Sequence, residues 1–406
     1  MRATAAVVAA LVVAATMLLA LRLARGRITA AAAGLLAATV GASPFVESFT
    51  LSGELLASLP AVLSLLCFCA YLRGRRVAWL LLAGALTGLA VLIKQSAFDA
   101  GLAAVVFLLW RERRRGLAPA GLLITSACLP IAVAAANAAR LNEWIYAIIG
   151  YRFDGDSLLS GSVSARAHQL WLSLPPAAKG LGLLAVLAAF GWRRAPLLAR
   201  IWLGAALIGV LGGGNFHPHY YLQLVPPLSL LAAVGLRTVW QGRPRRAVGL
   251  ALAGAAISAA LVLPVALASP ATQAREIWPH DPHLVHDQAL ARYVRAHTRA
   301  REPVLALWAD ADLYYLADRR PAVRYLWARN VASVPGALAA VHRALATRRA
   351  ALVVLVQAPG KLDPSGRTAR LLHRGYLRVA RVRGVAVYRS RIQRKTSATT
   401  SPSTAT

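Results

Sequence analysis

The sequence predicts a polytopic α-helical membrane protein of about ten transmembrane helices, followed by a small C-terminal α/β domain. Composition gives the first reason. Of the 406 residues, 58% are hydrophobic and 15% are charged, whereas soluble domains carry roughly 25% charged residues. The second reason is that long apolar runs alternate with short arginine clusters as far as residue 268. After Pro270, short strand and helix patterns replace the apolar runs.

Apolar runs define the membrane part, which we place at residues 1–268. One span needs roughly 20 apolar residues. Runs of that length or somewhat less occur at residues 4–22, 28–43, 55–72, 77–93, 98–110, 117–137, 177–192, 200–213, 220–239 and 247–267. The runs at 98–110 and 200–213 are the shortest and therefore the weakest predictions. The runs 55–72 and 77–93, joined by Arg-Gly-Arg-Arg, predict a helical hairpin.

Arginine clusters predict the orientation of these spans, because arginine accumulates in cytoplasmic loops. The clusters fall in every second loop: Arg22/Arg25/Arg27, Arg73/Arg75/Arg76, Arg111/Arg113/Arg114/Arg115, Arg193/Arg194 and Arg237/Arg243/Arg245/Arg246. A net charge of +31 can also indicate nucleic-acid binding. We exclude nucleic acid as a partner, because so many arginines lie in short loops between apolar runs. A multi-pass protein of the cytoplasmic membrane is predicted, with its C-terminal domain on the extracytoplasmic side.

The same alternation places Met1 outside the cytoplasm, directly before a span and without a cleavable signal pattern. The simplest interpretation is that a span and an outside loop that normally come first are missing. The alternative is that residues 1–43 form one re-entrant or surface hairpin, which leaves the later alternation unchanged.

The C-terminal domain is predicted at residues 269–394, and the Ser- and Thr-rich tail 395–406 is predicted to be disordered. Strand patterns occur at 304–308 and 351–356, with a longer one at 378–389, and helix patterns at 286–298 and 335–347. The domain has 22 Arg and Lys against 8 Asp and Glu. Such a surface attracts anionic headgroups or an anionic glycan, unless the arginines only solvate it.

Lys94 and Glu54 are the first candidate site residues. Lys94 and Gln95 follow the span 77–93 on the outer face, where a lysine either extends to the headgroups or holds an anionic ligand. Glu54 lies at the head of the span 55–72, and an ionisable group there is costly and usually functional. The alternative is that it complements the helix dipole, with Ser52 as the N-cap.

The segment GGNFHPHYYLQ supplies the second group of candidates, His217, His219 and Tyr220. These side chains either anchor the protein at the membrane interface or donate hydrogen bonds to a phosphate or sugar. Two histidines two residues apart with no nearby carboxylate make a poor metal site, so we predict no cofactor and leave a divalent metal open. Arg152 lies in a predicted outside loop, 140–179, rich in aromatic residues. Interfacial anchoring is the favoured role of that loop.

Several of these segments resemble the GT-C membrane glycosyltransferases, and among them the protein O-mannosyltransferase and aminoarabinose transferase group. The resemblance covers about residues 1–268, and the C-terminal domain loosely. It lies in the run from Ser52 through Leu63, the Arg-Gly-Arg-Arg turn, Ile-Lys-Gln-Ser-Ala-Phe, and His-Pro-His-Tyr-Tyr-Leu-Gln-Leu-Val-Pro-Pro. By position, Lys94 and Gln95 match the family's exit motif, His219 and Tyr220 its His-Tyr stretch, and Glu54 an acidic residue that heads a span.

The resemblance implies an integral-membrane glycosyltransferase that moves a sugar from a polyprenyl-phosphate carrier to a cell-envelope acceptor, which is a lipid, glycan or protein, with inversion. In that family a carboxylate acts as the base on the acceptor hydroxyl, and basic groups stabilise the departing phosphate. The family's catalytic Asp lies in a first outside loop that this sequence lacks. Glu54 and Glu47 are the best-placed remaining carboxylates, and without that loop we expect poor transfer. Lys94, Gln95, His217, His219, Tyr220 and Arg152 are the predicted donor-binding residues.

Two other classes of function remain alternatives. A transporter of lipid-linked sugars should have paired internal repeats and broken helices near the midplane, and the sequence has neither pattern. The other alternative is an inactive fragment that only binds glycan or lipid.

Overall fold

The computed structural model describes residues 2–24, 26–47, 50–150, 163–213, 216–242, 244–277, 283–308 and 311–391. These residues divide into two compact units. The helical unit comprises residues up to Ile148 and from 163 to Ala268, and the C-terminal unit begins at Ser269.

The helical unit contains apolar helices that begin and end close to the charged loops of the sequence. They are α1 (Arg2–Ala24), α2 (Arg27–Gly41), α3 (Gly53–Gly74), α4 (Val77–Ile93), α5 (Asp99–Glu112), α6 (Leu117–Ala136), α7 (Leu141–Ile148), α8 (Val163–Gly191), α9 (Leu197–Gly213), α10 (Val225–Gly242) and α11 (Pro244–Ala266). Short 3-10 helices occur at Pro44–Val46, Arg113–Gly116 and Pro218–Leu224.

Five helical segments in the described part of the chain are long and apolar enough to cross a membrane: Ala3–Ala24, Gly53–Gly74, Asp99–Ala136, Arg166–Gly191 and Pro218–Gly242. Arg27–Gly41, Val77–Ile93, Leu197–Gly212 and Ala256–Ala266 are shorter apolar helices. The chain is therefore a polytopic membrane protein, while the predicted number of ten spans is not confirmed. The predicted loop 140–179 is largely replaced by helix, because α7 occupies its beginning and α8 begins at Val163.

The arginine clusters meet at one end of the helical unit. Arg73, at the end of α3, donates a hydrogen bond to the Arg22 carbonyl of α1 over 3.2 Å. Arg237 of α10 reaches the Ala24 carbonyl, and Arg75 pairs with Glu112 of α5 at 2.7 Å. We call this end the arginine end. The opposite end carries the first residues of α3 and α5 and the last residues of α4.

Close helix contacts in this unit depend on glycine. A Cβ atom placed on Gly88 of α4 would lie 2.0 Å from the Ala127 carbonyl oxygen of α6. A Cβ atom on Gly235 of α10 would lie 1.8 Å from the Leu187 oxygen of α8. Small residues let helix backbones approach closely in membranes, where van der Waals contact drives association. These glycines therefore fix the spacing of two helix pairs.

The C-terminal unit is an α/β structure around a four-stranded sheet. Its strands are β1 (Val304–Leu307), β2 (Leu352–Leu355), β3 (Tyr376–Val382) and β4 (Val385–Ser390), in the order β1-β2-β4-β3. Its helices are α12 (Pro270–Ile277), α13 (His283–His297), α14 (Asp312–Ala317), α15 (Ala328–Ser333), α16 (Ala337–Ala346) and α17 (Arg367–Gly375).

Strands β1 and β2 are parallel, and β4 runs antiparallel to both β2 and β3. The predicted strands near 304 and 351 and helices near 286 and 335 are present, but the single long strand predicted at 378–389 is wrong. A two-residue turn at Arg383 and Gly384 divides it into a hairpin, and both residues have positive φ, 49° and 88°. That backbone matches the twist of paired strands.

Candidate active site

The candidate site lies at the end of the helical unit opposite the arginine end. Four segments at helix ends converge there. They are the turn after α2, the N-terminus of α3, the C-terminal end of α4 and the 3-10 helix that precedes α10. Ser52 caps α3 by accepting a hydrogen bond from the Leu55 amide at 3.2 Å. The cap places Glu54 in the first helical turn, where the positive end of the helix dipole favours a carboxylate.

Glu54 and Lys94 form a buried ion pair. The Lys94 Nζ atom lies 2.7 Å from Glu54 Oε1, and the side chains are 19% and 3% exposed, respectively. The same Nζ atom lies 4.2 Å from the centre of the Tyr220 ring, a distance at which the ring face attracts a cation. Lys94 therefore does not simply extend to the headgroups: a carboxylate and an aromatic ring hold its ammonium group in place.

Glu47 and His219 form a second pair, with 2.7 Å between Glu47 Oε2 and His219 Nδ1. Glu47 is 6% exposed and has a left-handed backbone, φ 52°, at the end of the 3-10 helix Pro44–Val46. Such a conformation is uncommon for a residue with a side chain, and it concentrates at functional sites. A carboxylate at Nδ1 favours a proton on that nitrogen and leaves Nε2 as the second polar atom of the ring.

Tyr220 joins the two pairs. Its ring meets His219 edge to face at 5.1 Å between centroids, while Lys94 lies over it. His217 stacks on His219 with the ring planes 7° apart. The cluster thus combines one lysine, two imidazoles, a phenol and two buried carboxylates, which are groups that can bind phosphate and accept a proton.

Asp99 was not predicted as a site residue, and it forms a third buried centre. Its two carboxylate oxygens accept hydrogen bonds from Trp202 Nε1 at 2.6 Å and Gln223 Nε2 at 2.7 Å. Gln223 also donates to the Ser96 carbonyl oxygen at 2.9 Å. These bonds fasten the turn after Lys94 to α9 and to the 3-10 helix that carries His219. The sequence feature that could have predicted this site is the position of Asp99 at the start of an apolar run, where a carboxylate is costly.

A small cavity lies between the Glu54–Lys94 ion pair and the Asp99 carboxylate. Its volume of about 10 Å3 is at the lower limit for one water molecule. It is lined by Glu54, Ala57, Ser58, Ala61, Val62, Lys94, Ala97, Asp99, Trp202, Gln223 and Pro226. Polar groups of four chain segments therefore face one nearly filled space, with no room in it for a sugar.

The structure brings six predicted site residues together: Glu47, Glu54, Lys94, His217, His219 and Tyr220. Gln95 follows Lys94 and is exposed. Arg152 lies outside the described residues. Among the residues that the structure describes, no group of three His, Cys, Asp or Glu side chains is placed to hold a metal ion.

Two comparisons with known proteins found a match. Residues 2–139 match the family described as dolichyl-phosphate-mannose-protein mannosyltransferase. The crystal structure of ArnT from Cupriavidus metallidurans bound to undecaprenyl phosphate superposes with a TM-score of 0.59 at 16% sequence identity, covering 95% of this chain and 83% of that chain. The chain has the ArnT fold. No curated protein matches the sequence.

These findings confirm the resemblance to GT-C glycosyltransferases that the sequence indicated. The family match ends at residue 139, so it includes Glu47, Glu54, Lys94 and Asp99 but not the segment around His219. The ArnT likeness extends over nearly the whole chain and describes its fold.

Proposed function

We propose that this protein is an integral-membrane glycosyltransferase that moves a sugar from a polyprenyl-phosphate carrier to a cell-envelope acceptor, with inversion. One observation carries the proposal. A partly buried lysine, held by Glu54 and Tyr220, lies beside a Glu47–His219 pair at the end of the helical unit opposite the arginine end. The family match and the fold of ArnT, a protein crystallised with undecaprenyl phosphate, support a polyprenyl-phosphate donor.

Lys94 is the proposed phosphate-binding group. In the described structure its charge is balanced by Glu54 at 2.7 Å, so the ammonium group is held in place before a ligand arrives. A phosphate that approaches Nζ competes with Glu54 for the ammonium. As the sugar–phosphate bond breaks, negative charge grows on the phosphate, and a preorganised cation stabilises that change.

The two buried carboxylates are the proposed proton acceptors. In the reaction, the acceptor hydroxyl oxygen attacks the anomeric carbon, the carbon–phosphate oxygen bond breaks with its electron pair on the phosphate, and the hydroxyl proton passes to a base. Glu54 loses its counter-ion when Lys94 turns to the phosphate, and its carboxylate is then available to accept the proton. Glu47 is linked to His219, and such a pair can also accept and share a proton.

The test is turnover by residues 1–406 in nanodiscs, given a panel of polyprenyl-phosphate sugars and a cell-envelope extract as acceptor. We expect slow release of polyprenyl phosphate with at least one donor, and loss of this residual turnover in both Glu54→Gln and Glu47→Gln. Glu112→Gln is the control, because Glu112 forms a 2.7 Å ion pair at the arginine end. Donor binding without turnover would favour a binding protein, and no interaction with any donor would contradict the proposal.

A further inference from the structure

A basic groove crosses the surface of the C-terminal unit. It has a volume of about 660 Å3, within the range of ligand-binding clefts. One wall is the segment 321–325, and the other is the end of α16 with the turn that follows. The groove is lined by Pro321, Ala322, Val323, Arg324, Tyr325, Ala340, Arg343, Ala344, Thr347 and Arg349.

The backbone of both walls is fixed. The Ala322 amide donates to the Val304 carbonyl oxygen at 2.8 Å, and the Val304 amide donates to the Arg320 carbonyl oxygen at 2.9 Å. The first wall is thereby attached to β1 at the edge of the sheet. The second wall is helical, and its Ala340 and Ala344 are one turn apart. Two short side chains on this face leave the space between the walls open.

The groove is rich in cationic groups. Arg324, Arg343 and Arg349 line it, and no Asp or Glu does. In the described part of the chain, no ion pair joins Arg343 or Arg349 to a carboxylate. Both side chains are exposed, so their guanidinium groups can bind an incoming anion through paired hydrogen bonds.

An aromatic ring adds a second kind of contact. The Arg324 guanidinium carbon lies 5.2 Å from the centre of the Tyr325 ring, and Arg324 donates a hydrogen bond to the Tyr325 hydroxyl at 3.1 Å. Tyr325 is half-buried. An amphipathic ring beside hydrogen-bonding groups suits a ligand with one apolar face and several hydroxyls, and a sugar ring is such a ligand.

We propose that this groove binds an acidic saccharide, a sugar chain whose carboxylate or phosphate groups pair with Arg343 and Arg349 while a ring lies against Tyr325. The aromatic ring favours a saccharide over a bare inorganic anion. The inference does not depend on the proposed transfer reaction, because it uses contacts of the C-terminal unit alone.

The experiment measures calorimetric binding of tetragalacturonate to the full chain in phosphatidylcholine nanodiscs, with neutral maltotetraose as the uncharged probe. Tetragalacturonate should bind and maltotetraose should not. The double variant Arg343→Gln/Arg349→Gln should bind tetragalacturonate at least about tenfold more weakly, since each lost hydrogen bond between charged groups is worth roughly that factor.

Two further variants separate the groove from net charge. Arg378→Gln/Arg383→Gln removes the same charge from the β3–β4 hairpin, where both side chains are exposed, and should bind like the wild type. Ala340→Trp fills the groove without changing the charge and should abolish binding. Equal weakening in both double variants would overturn the proposal, as would no binding by the wild type.

A final arm tests a lipid headgroup as the source of the anion. Nanodiscs that contain phosphatidylglycerol should bind tetragalacturonate with unchanged affinity. If the anionic lipid abolishes binding, the groove holds a headgroup, and the saccharide proposal is wrong.

Discussion

Lys94→Ala should have two separate effects, one on stability and one on donor binding. The substitution leaves the Glu54 carboxylate, 3% exposed, without its cation. Removing one partner of a buried ion pair costs about 3–5 kcal/mol. Because the Lys94 side chain is 19% exposed, water replaces part of the lost interaction, and we expect a loss near the lower limit of that range.

The double variant Lys94→Ala/Glu54→Gln separates the two effects. It removes both charges, so it should regain most of the stability that the single variant loses. Donor affinity should stay low, about 10-fold to 100-fold below wild type, because the phosphate loses a hydrogen bond from a charged group. Lys94→Arg should retain part of the affinity, since it keeps the charge but changes its geometry.

The assay is binding of polyprenyl phosphate by microscale thermophoresis, together with thermal unfolding of the same samples. Glu112→Gln serves as the control, because its partner Arg75 is 55% exposed and exposed pairs contribute little. If the double variant regains donor affinity together with stability, Lys94 acts only through the fold, and the reasoning is wrong.

Three other predictions concern packing, acid stability and topology. Gly88→Ala should lower stability by about 1–3 kcal/mol, because its Cβ would lie 2.0 Å from the Ala127 oxygen, whereas Gly121→Ala, with nothing within 4 Å, should not; thermal unfolding compares the two. Burial raises the pKa of Asp363, but hydrogen bonds from Ser365, Thr368 and His342 outweigh it and hold that pKa well below its usual range. The ionised Asp363 carboxylate therefore contributes fully to stability above about pH 4, and this contribution is lost as the pH falls below that value. Hydrogen exchange of the α17 amides should rise below about pH 4 in the wild type, and it should change less in Asp363→Asn. Alkaline phosphatase fused after Arg394 should be active, because the alternation of arginine clusters predicts that the C-terminal unit lies outside the cytoplasm. Cytoplasmic fluorescence of a matching fusion would contradict this prediction.

Much of the helical unit could be predicted because charged residues mark both ends of its apolar runs. Arg76 and Lys94 flank α4, which spans Val77–Ile93 as the pattern indicated. The Glu54–Lys94 pair could have been found in the same way. Both residues lie 20 positions from Gly74, the last residue of α3, so an antiparallel hairpin that turns there brings them to one level.

The contacts of Asp99 with Trp202 and Gln223 could not be predicted by counting residues along a hairpin. Asp99 is separated from Trp202 by 103 positions and from Gln223 by 124, and no local period joins segments so far apart. The contact depends on how α5 and α9 pack, which the apolar runs do not encode. The β3–β4 hairpin was missed for a local reason, because Arg383 occupies a turn position where Asn or Gly is more usual.

The most direct test of the account is the position of the donor phosphate. A polyprenyl phosphate with a photoreactive group beside the phosphate can be bound to the full chain, irradiated, and mapped by mass spectrometry. Cross-links are expected in the segment that contains Lys94 and in the 3-10 helix Pro218–Leu224. Cross-links concentrated at the arginine end, around Arg73–Arg76, would contradict it.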